Sequence, residues 1–358
     1  MVLRCIAFWP YADCAQDSSN WKKELQMRIV VATPYKIANY GAMLQAWALR
    51  IVLEKMGHSV RYLNCRYLWP GILPFKRLLL SRSFSTFFSK LRTNRMMRSS
   101  ISELGGLPET QPYNRIEDLL SNPPDCDCLI AGSDQIFHPW YFSDRRRYIP
   151  ILLGFGSPET KRFIYAASFG TSDATSLTVS TEARSMLSQI NDVGVRETSG
   201  CRILKQIFGI DGFWTPDPCF LLEEEEYVEF FHLSRNAAQK YIVVYTLGFG
   251  RLKALRDDVV LKAKQKYGCE NVHVLSSGIS ISEWLNEIRN AACVVTNSFH
   301  GHCFSRIFNV PFELLKFDGG DAWRNERNND LDRVLRGRTT HDLREIGISM
   351  LQKFLSPK

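Results

Sequence analysis

The chain has 358 residues, 45% of them hydrophobic and 23% charged. These proportions are those of a globular protein and exclude a disordered chain, a collagen-like repeat or a small disulfide-stapled module. Its length predicts about two domains. Its formal net charge of +8 suits anionic ligands or an anionic surface. Zinc-finger, RRM and helix-turn-helix patterns are missing, so no nucleic-acid partner is expected.

Residues 1–26 include Trp9-Pro10 and the polar stretch Asp17–Asn20. They lack a basic stretch leading into an apolar run, so they do not read as a signal peptide. They are expected to be a disordered or misassigned extension ahead of a natural start at Met27. From Met27 the pattern alternates. Arg28–Thr33 predicts a buried strand, Ala42–Met56 a helix closed by Gly57, and Val60–Asn64 a strand. Residues 66–102 carry eight basic residues and no acid before Glu103, interleaved with Phe84, Phe87, Phe88 and Leu91. This excursion reads either as a solvated helical insertion or as a segment lying on an anionic membrane. Cys128–Ala131, Phe163–Ala167 and Asp192–Arg196 predict three more strands, with helices over Glu182–Ile190 and Gly200–Phe208.

The string Trp214-Thr215-Pro216-Asp217-Pro218 closes this unit, and the acidic run Glu223–Glu226 opens a helix. A second alternation follows. Strands are predicted over Tyr241–Thr246, Asn271–Leu275, Cys293–Thr296 and Phe312–Phe317. Helices are predicted over Arg251–Tyr267, Ile281–Ala291 and Gly301–Phe308. Asn329–Arg336 and Asp342–Phe354 read as C-terminal helices, the last crossing back onto the first unit. The expected fold is α/β with parallel sheets. Its divisions are an N-terminal domain over 27–213, a C-terminal domain over 214–335 and a terminal helix in 336–358. No apolar run is long enough to span a membrane.

In such sheets ligands bind beyond the carboxyl ends of strands, and five polar clusters fall there. Asn39 and Gly41, with Gln45 a turn further on, follow the first strand. They read either as an anion site at a helix N-terminus or as an ordinary cap. Gly132-Ser133-Asp134-Gln135 supplies a close-approach glycine, a hydroxyl, a carboxylate and an amide, and reads either as a substrate site or as a helix cap. Ser168 ends a run of small residues after another strand. Arg196 could fork onto a carboxylate or phosphate, or pair locally with Glu197. Asn297-Ser298-Phe299-His300-Gly301 is the sharpest cluster. It sets a phosphate-compatible helix start beside a histidine able to move protons near neutral pH. His302 alone is thin evidence for a metal, and none is expected. P-loop, dinucleotide-fingerprint, nucleophile-elbow and HExxH patterns are missing. The ten cysteines form no CxxC pair and read as buried free thiols of a reducing cytoplasm.

Taken together these pieces resemble the polysaccharide pyruvyl transferase family. The matching segments are Asn39–Ala46, Gly132–Ile136, Tyr165–Gly170, Val195-Arg196-Glu197, Asp217–Leu222 and Thr296–Gly301, with Phe304-Ser305 and Phe308-Asn309. They occur in the family's order. Asn297 stands where many members carry Asp, and His302-Cys303 where Thr-Ala is common. The resemblance implies two Rossmann-like domains facing a cleft, GT-B-like. It also implies transfer of pyruvate from phosphoenolpyruvate, as co-substrate without further cofactor, to a sugar of a surface polysaccharide or its lipid-linked precursor. In that reading His300, Arg196 and Glu197 are catalytic, and Asn39, Gly41, Gln45, Gly132, Ser133, Asp134, Gln135, Ser168, Asn297, Ser298 and Gly301 bind substrate. The expected location is the cytoplasm, at the inner face of the membrane if the basic excursion docks there. The competing readings are a nucleotide-sugar-dependent glycosyltransferase of similar architecture and an inactive scaffold in polysaccharide assembly.

Overall fold

The computed structural model describes residues 26–66, 68, 71–72, 83–139, 154–172, 181–190, 192–235, 240–247, 253–275, 278–317 and 325–356. The expected N-terminal extension, apart from Gln26, and part of the basic excursion lie outside them. The first unit contains β1 (Arg28–Ala32), α1 (Tyr40–Lys55), β2 (Ser59–Tyr62), α2 (Phe84–Glu103), α3 (Ile116–Ser121), β3 (Cys128–Ala131), β4 (Lys161–Ala167), α4 (Thr181–Leu187), β5 (Asp192–Val195), α5 (Thr198–Ile203) and β6 (Phe213–Trp214). The second contains α6 (Glu224–Phe231), β7 (Tyr241–Tyr245), α7 (Lys253–Tyr267), β8 (Asn271–Val274), α8 (Ile281–Arg289), β9 (Cys293–Thr296), α9 (Phe299–Ile307) and β10 (Phe312–Leu314), followed by α10 (Glu326–Val334) and α11 (Thr340–Leu355).

Among the described residues the strands form two parallel sheets, ordered β2-β1-β3-β4-β5-β6 and β10-β9-β7-β8. Parallel sheets are covered on both faces, which is why β1 after Arg28, β3, and β9 before Thr296 read as apolar runs. In each sheet the order reverses between two neighbours, β1 and β3 in the first and β7 and β9 in the second. Loops diverge at such points and leave a crevice. The fold is thus α/β with two Rossmann-like units, GT-B-like.

The two units share one apolar cluster, which includes Leu44, Trp47, Phe220, Tyr227, Trp284 and Phe304. Trp47 is 1% exposed and packs on Tyr227 and Phe231, with centroids 5.7 and 5.1 Å away. Truncating so large a buried ring costs about 3–5 kcal/mol. Polar ties join the same faces. Tyr40 stacks on Trp284 (5.5 Å), and its hydroxyl donates to the Ile279 carbonyl (2.9 Å) and accepts from Gly278 N–H (3.2 Å). Asp330 of α10 accepts from the backbone N–H (2.8 Å) and hydroxyl (2.6 Å) of Thr198, capping α5 across the gap. Helix α11 lies back on the first sheet. Phe354 meets Phe163 and Phe213, and Lys161 Nζ donates to the Ser356 carbonyl at 2.9 Å.

Most element ends follow local chemistry. Asn39 caps α1, and Gly57 beyond its end takes φ +92°, the left-handed region that favours glycine. Three expectations shift. The helix predicted over Gly200–Phe208 begins at Thr198 and passes after Ile203 into a π-turn over Leu204–Phe208, closed by Gly209 at φ +71°. The strand predicted over Phe312–Phe317 stops at Leu314, because Asn325 claims both backbone groups of Phe317 (2.9 and 2.7 Å). The Trp214 string, read as a joint, contributes β6 to the first sheet before crossing over.

Candidate active site

The polar groups at the strand ends converge on Arg196. It follows β5 and is 4% exposed, and its backbone carbonyl accepts from Trp214 Nε1 (2.8 Å). Its guanidinium lies 3.2 Å from Asp217 Oδ2 and 3.8 Å from Asp134 Oδ1, yet none of its three nitrogens makes a hydrogen bond. Burial works against its charge while Asp217 and Asp134 hold it, and the balance raises its pKa. A buried arginine whose nitrogens make no hydrogen bond to the protein has donors left to offer a planar anion.

Asp217 is supplied by the crossover. Thr215 N–H donates to the Val195 carbonyl (2.8 Å) and its hydroxyl accepts from Ala166 N–H (3.0 Å). The chain is thereby threaded over the ends of β4 and β5. Asp217 then caps the short turn Pro218–Leu221 through Cys219 N–H (2.9 Å). Burial opposes its charge, but Arg196 and His300 outweigh this and hold its carboxyl far below the usual range.

The second unit brings His300, in the first turn of α9, to the same carboxylate. His300 Nε2 stands 3.7 Å from Asp217 Oδ2 and makes no hydrogen bond. The ring lies against Gly41 of α1 so closely that a Cβ there would fall 2.0 Å from His300 Cγ. One carboxylate oxygen therefore lies within 3.7 Å of both Arg196 and His300.

A second cation faces the same place. Arg196 and Arg327 of α10 lie 4.8 and 5.7 Å from the Phe299 ring centroid. Gln135, with its amide oxygen turned toward Arg327, accepts from both Nη atoms at 3.2 Å. Burial and the Arg196 charge lower the Arg327 pKa. Two guanidiniums on one ring repel, and an anion between them relieves that repulsion. Glu197, buried behind Arg196, accepts from the Ser168 hydroxyl, and its Oε2 has no partner. Burial pushes its carboxyl up despite Arg196 and Ser168. Asp217, Cys219 and His300 also bring three potential metal donors within 4.8 Å of one another.

The family model for polysaccharide pyruvyl transferases matches residues 39–313. The chain belongs to the polysaccharide pyruvyl transferase family. No curated protein matches it significantly. Among solved structures it is similar to a putative UDP-N-acetylglucosamine 2-epimerase from Listeria monocytogenes (TM-score 0.47, 11% identity, 92% of this chain and 91% of that one). It is also similar to an α-glucosyltransferase in complex with UDP and DNA (0.46, 12%, 92% and 96%) and to the UDP-GlcNAc 2-epimerase of Methanocaldococcus jannaschii (0.45, 12%, 93% and 94%).

In this pyruvyl transferase family member the sequence-derived residues divide into two groups. Arg196, Glu197, Ser168, Asp134, Gln135, Gly41 and His300 meet around Asp217 and Arg327. The others hold the frame. Gln45 is fully buried. Its amide donates to Thr33 Oγ1 (3.1 Å) and the Ala42 carbonyl (2.8 Å), and it accepts from the Ser133 hydroxyl. Gln45 and Ser133 therefore spend their polar groups on each other rather than on a sugar. Gly132, at φ +108°, has no room for a side chain against the Tyr165 carbonyl. Asn297 pairs with both backbone groups of Leu247 (2.8 Å each), Ser298 caps α9 through Gly301 N–H (3.3 Å), and Asn39 caps α1. Gly301 is packed on Thr296.

Sequence reasoning passed over Asp217, Phe299 and Arg327 as site residues. Asp217 stands in the string that reads as a joint, and Phe299 lies inside a cluster whose chemistry points to Ser298 and His300. Arg327 sits in a charged stretch with no distinguishing pattern. Of the expected thiols, the eight described cysteines are free, and all but Cys201 are buried. Among the described residues no helix is long and apolar enough to cross a membrane.

Proposed function

We propose that this protein transfers the pyruvyl group of phosphoenolpyruvate to two hydroxyls of a polysaccharide sugar, forming a ketal and releasing phosphate. The observation that carries this reading is the buried, hydrogen-bond-free guanidinium of Arg196, set beside Arg327 and sharing Asp217 with His300. Phosphoenolpyruvate presents a carboxylate and a phosphate, and the two arginines offer one cation for each.

In this reading His300 in its protonated form gives a proton to the methylene carbon, which becomes the methyl group. The first sugar hydroxyl bonds to the neighbouring carbon and passes its proton back to His300. The bond to the phosphate oxygen breaks, and the second hydroxyl closes the ketal. Its proton leaves with phosphate, so the balance is one phosphoenolpyruvate and one diol to one ketal and one hydrogen phosphate. Asp217 stabilises the charged imidazole, and the arginines stabilise negative charge on the departing phosphate. Glu197 is the reserve proton carrier, and Asp134 and Gln135 face the sugar.

The test is phosphate release from phosphoenolpyruvate with a panel of glycosides, followed by mass measurement of the sugar. Acceptor-dependent release with a matching mass gain is expected, lost in His300→Ala and His300→Gln with the fold intact. Turnover comparable to wild type in either variant removes His300 from the mechanism.

A further inference from the structure

We propose that the solvent face of α2 is a docking surface for an anionic lipid bilayer. The helix begins at its Ser83 cap, whose hydroxyl accepts from Thr86 N–H (3.2 Å). Phe84 and Phe88 are 85% and 62% exposed, the highest of the large exposed hydrophobics among the described residues, and Leu91 is 41% exposed. The spacing 84, 88, 91, 95, 98 alternates four and three residues, so these five side chains share one face. That stripe is apolar in its first half and cationic in its second, with Arg95 and Arg98 both exposed.

The opposite face is spent on the protein. Asn94, Met96, Met97 and Ser100 are buried. Glu103, the helix's only acid, accepts from Ser282 N–H and Oγ (2.8 Å each) and so anchors α2 to α8. No acid occurs from Arg66 to Ser102, so no side chain of that segment neutralises the stripe. A protein core would match the phenylalanines but not the arginines. A leaflet of anionic lipid matches both, with aromatic side chains at the acyl boundary and guanidiniums among the headgroups. On its flank α2 also lines, through Lys90, Thr93 and Asn94, a cavity of about 290 Å³ with Lys36–Ala38. The docked helix and the loop leading to Asn39 thus share one rim.

This inference does not depend on the reaction, because binding is read without substrate. The full chain is sedimented with vesicles of phosphatidylcholine alone or with about a third phosphatidylglycerol. Binding to the anionic vesicles only, weakened by salt, is expected. Arg95→Gln with Arg98→Gln should weaken it by about fivefold per arginine, and Phe84→Ser with Phe88→Ser should abolish it. Phe84→Trp should shift its emission to the blue on vesicles and be quenched by brominated lipid. This variant serves as the readout should a serine variant fold poorly. Three results would overturn the proposal: no binding to anionic vesicles, binding unchanged in both double variants, or a wild-type dimer that the Phe84/Phe88 variant converts to monomer.

Discussion

Gly41→Ala tests the contact between the two units most directly. The alanine Cβ would fall 2.0 Å from His300 Cγ, 2.2 Å from Nδ1 and 2.4 Å from Cβ. Carbon atoms rest about 3.5–4 Å apart, so the ring must retreat by about 1.5 Å. Misplacing a reacting group by about 1 Å costs about 100-fold in rate, so kcat should fall by at least that factor. Stability should fall by at most about 2.5 kcal/mol. Alanine contributes about 0.5–1 kcal/mol of helix propensity, which offsets part of the roughly 1–3 kcal/mol of overpacking. Phosphoenolpyruvate affinity should stay near wild type, because Arg196 and Arg327 are untouched. The assay pairs phosphate release at saturating donor with calorimetric donor binding and a thermal melt. Wild-type kcat in a folded Gly41→Ala protein would refute the claim that His300 works from its seat on Gly41.

Three further outcomes follow from the same geometry. Asp217→Asn leaves Arg196 buried without its nearest countercharge and should cost about 3–5 kcal/mol in urea denaturation, whereas a loss below about 1 kcal/mol would mean that Asp134 suffices. Arg327→Met should weaken phosphoenolpyruvate binding by about 10–150-fold, the effect of losing a charged hydrogen-bonding partner, and unaltered titration calorimetry would take Arg327 out of the donor site. Glu197 has a folded-state pKa raised above its unfolded value. Its contribution is therefore complete below the ordinary glutamate range and is lost as pH rises through the raised value. Glu197→Gln should remove that part of the decline in denaturation series across pH, and an identical slope in both proteins would place the decline elsewhere.

Much of the fold was legible because parallel strands and their helices announce themselves locally. Cys128–Ala131 is an unbroken apolar run and Cys293–Thr296 is apolar up to Thr296, and the structure keeps both with those bounds. The strand-end clusters were legible for the same reason, since a polar residue just past an apolar strand stands at the edge of the crevice. Their division of labour was not legible. Gln45 and Asn297 have the same chemistry as a ligand-binding amide, and only their neighbours show that Ser133 and Leu247 have already claimed them.

The sequence by itself determined the class of fold, the order of the strands and helices along the chain, and the family, because each is written in periodicity or in short ordered motifs. The tertiary structure decided which charges meet. Asp217 is 21 residues from Arg196 and 83 from His300, yet one of its oxygens lies within 3.2 Å of the first and 3.7 Å of the second. Arg327 and Arg196, from different units, come to the same aromatic ring. Such juxtapositions arise from the crossover and from the packing of α1 against α9, and electrostatic interaction depends on distance in space rather than on distance along the chain.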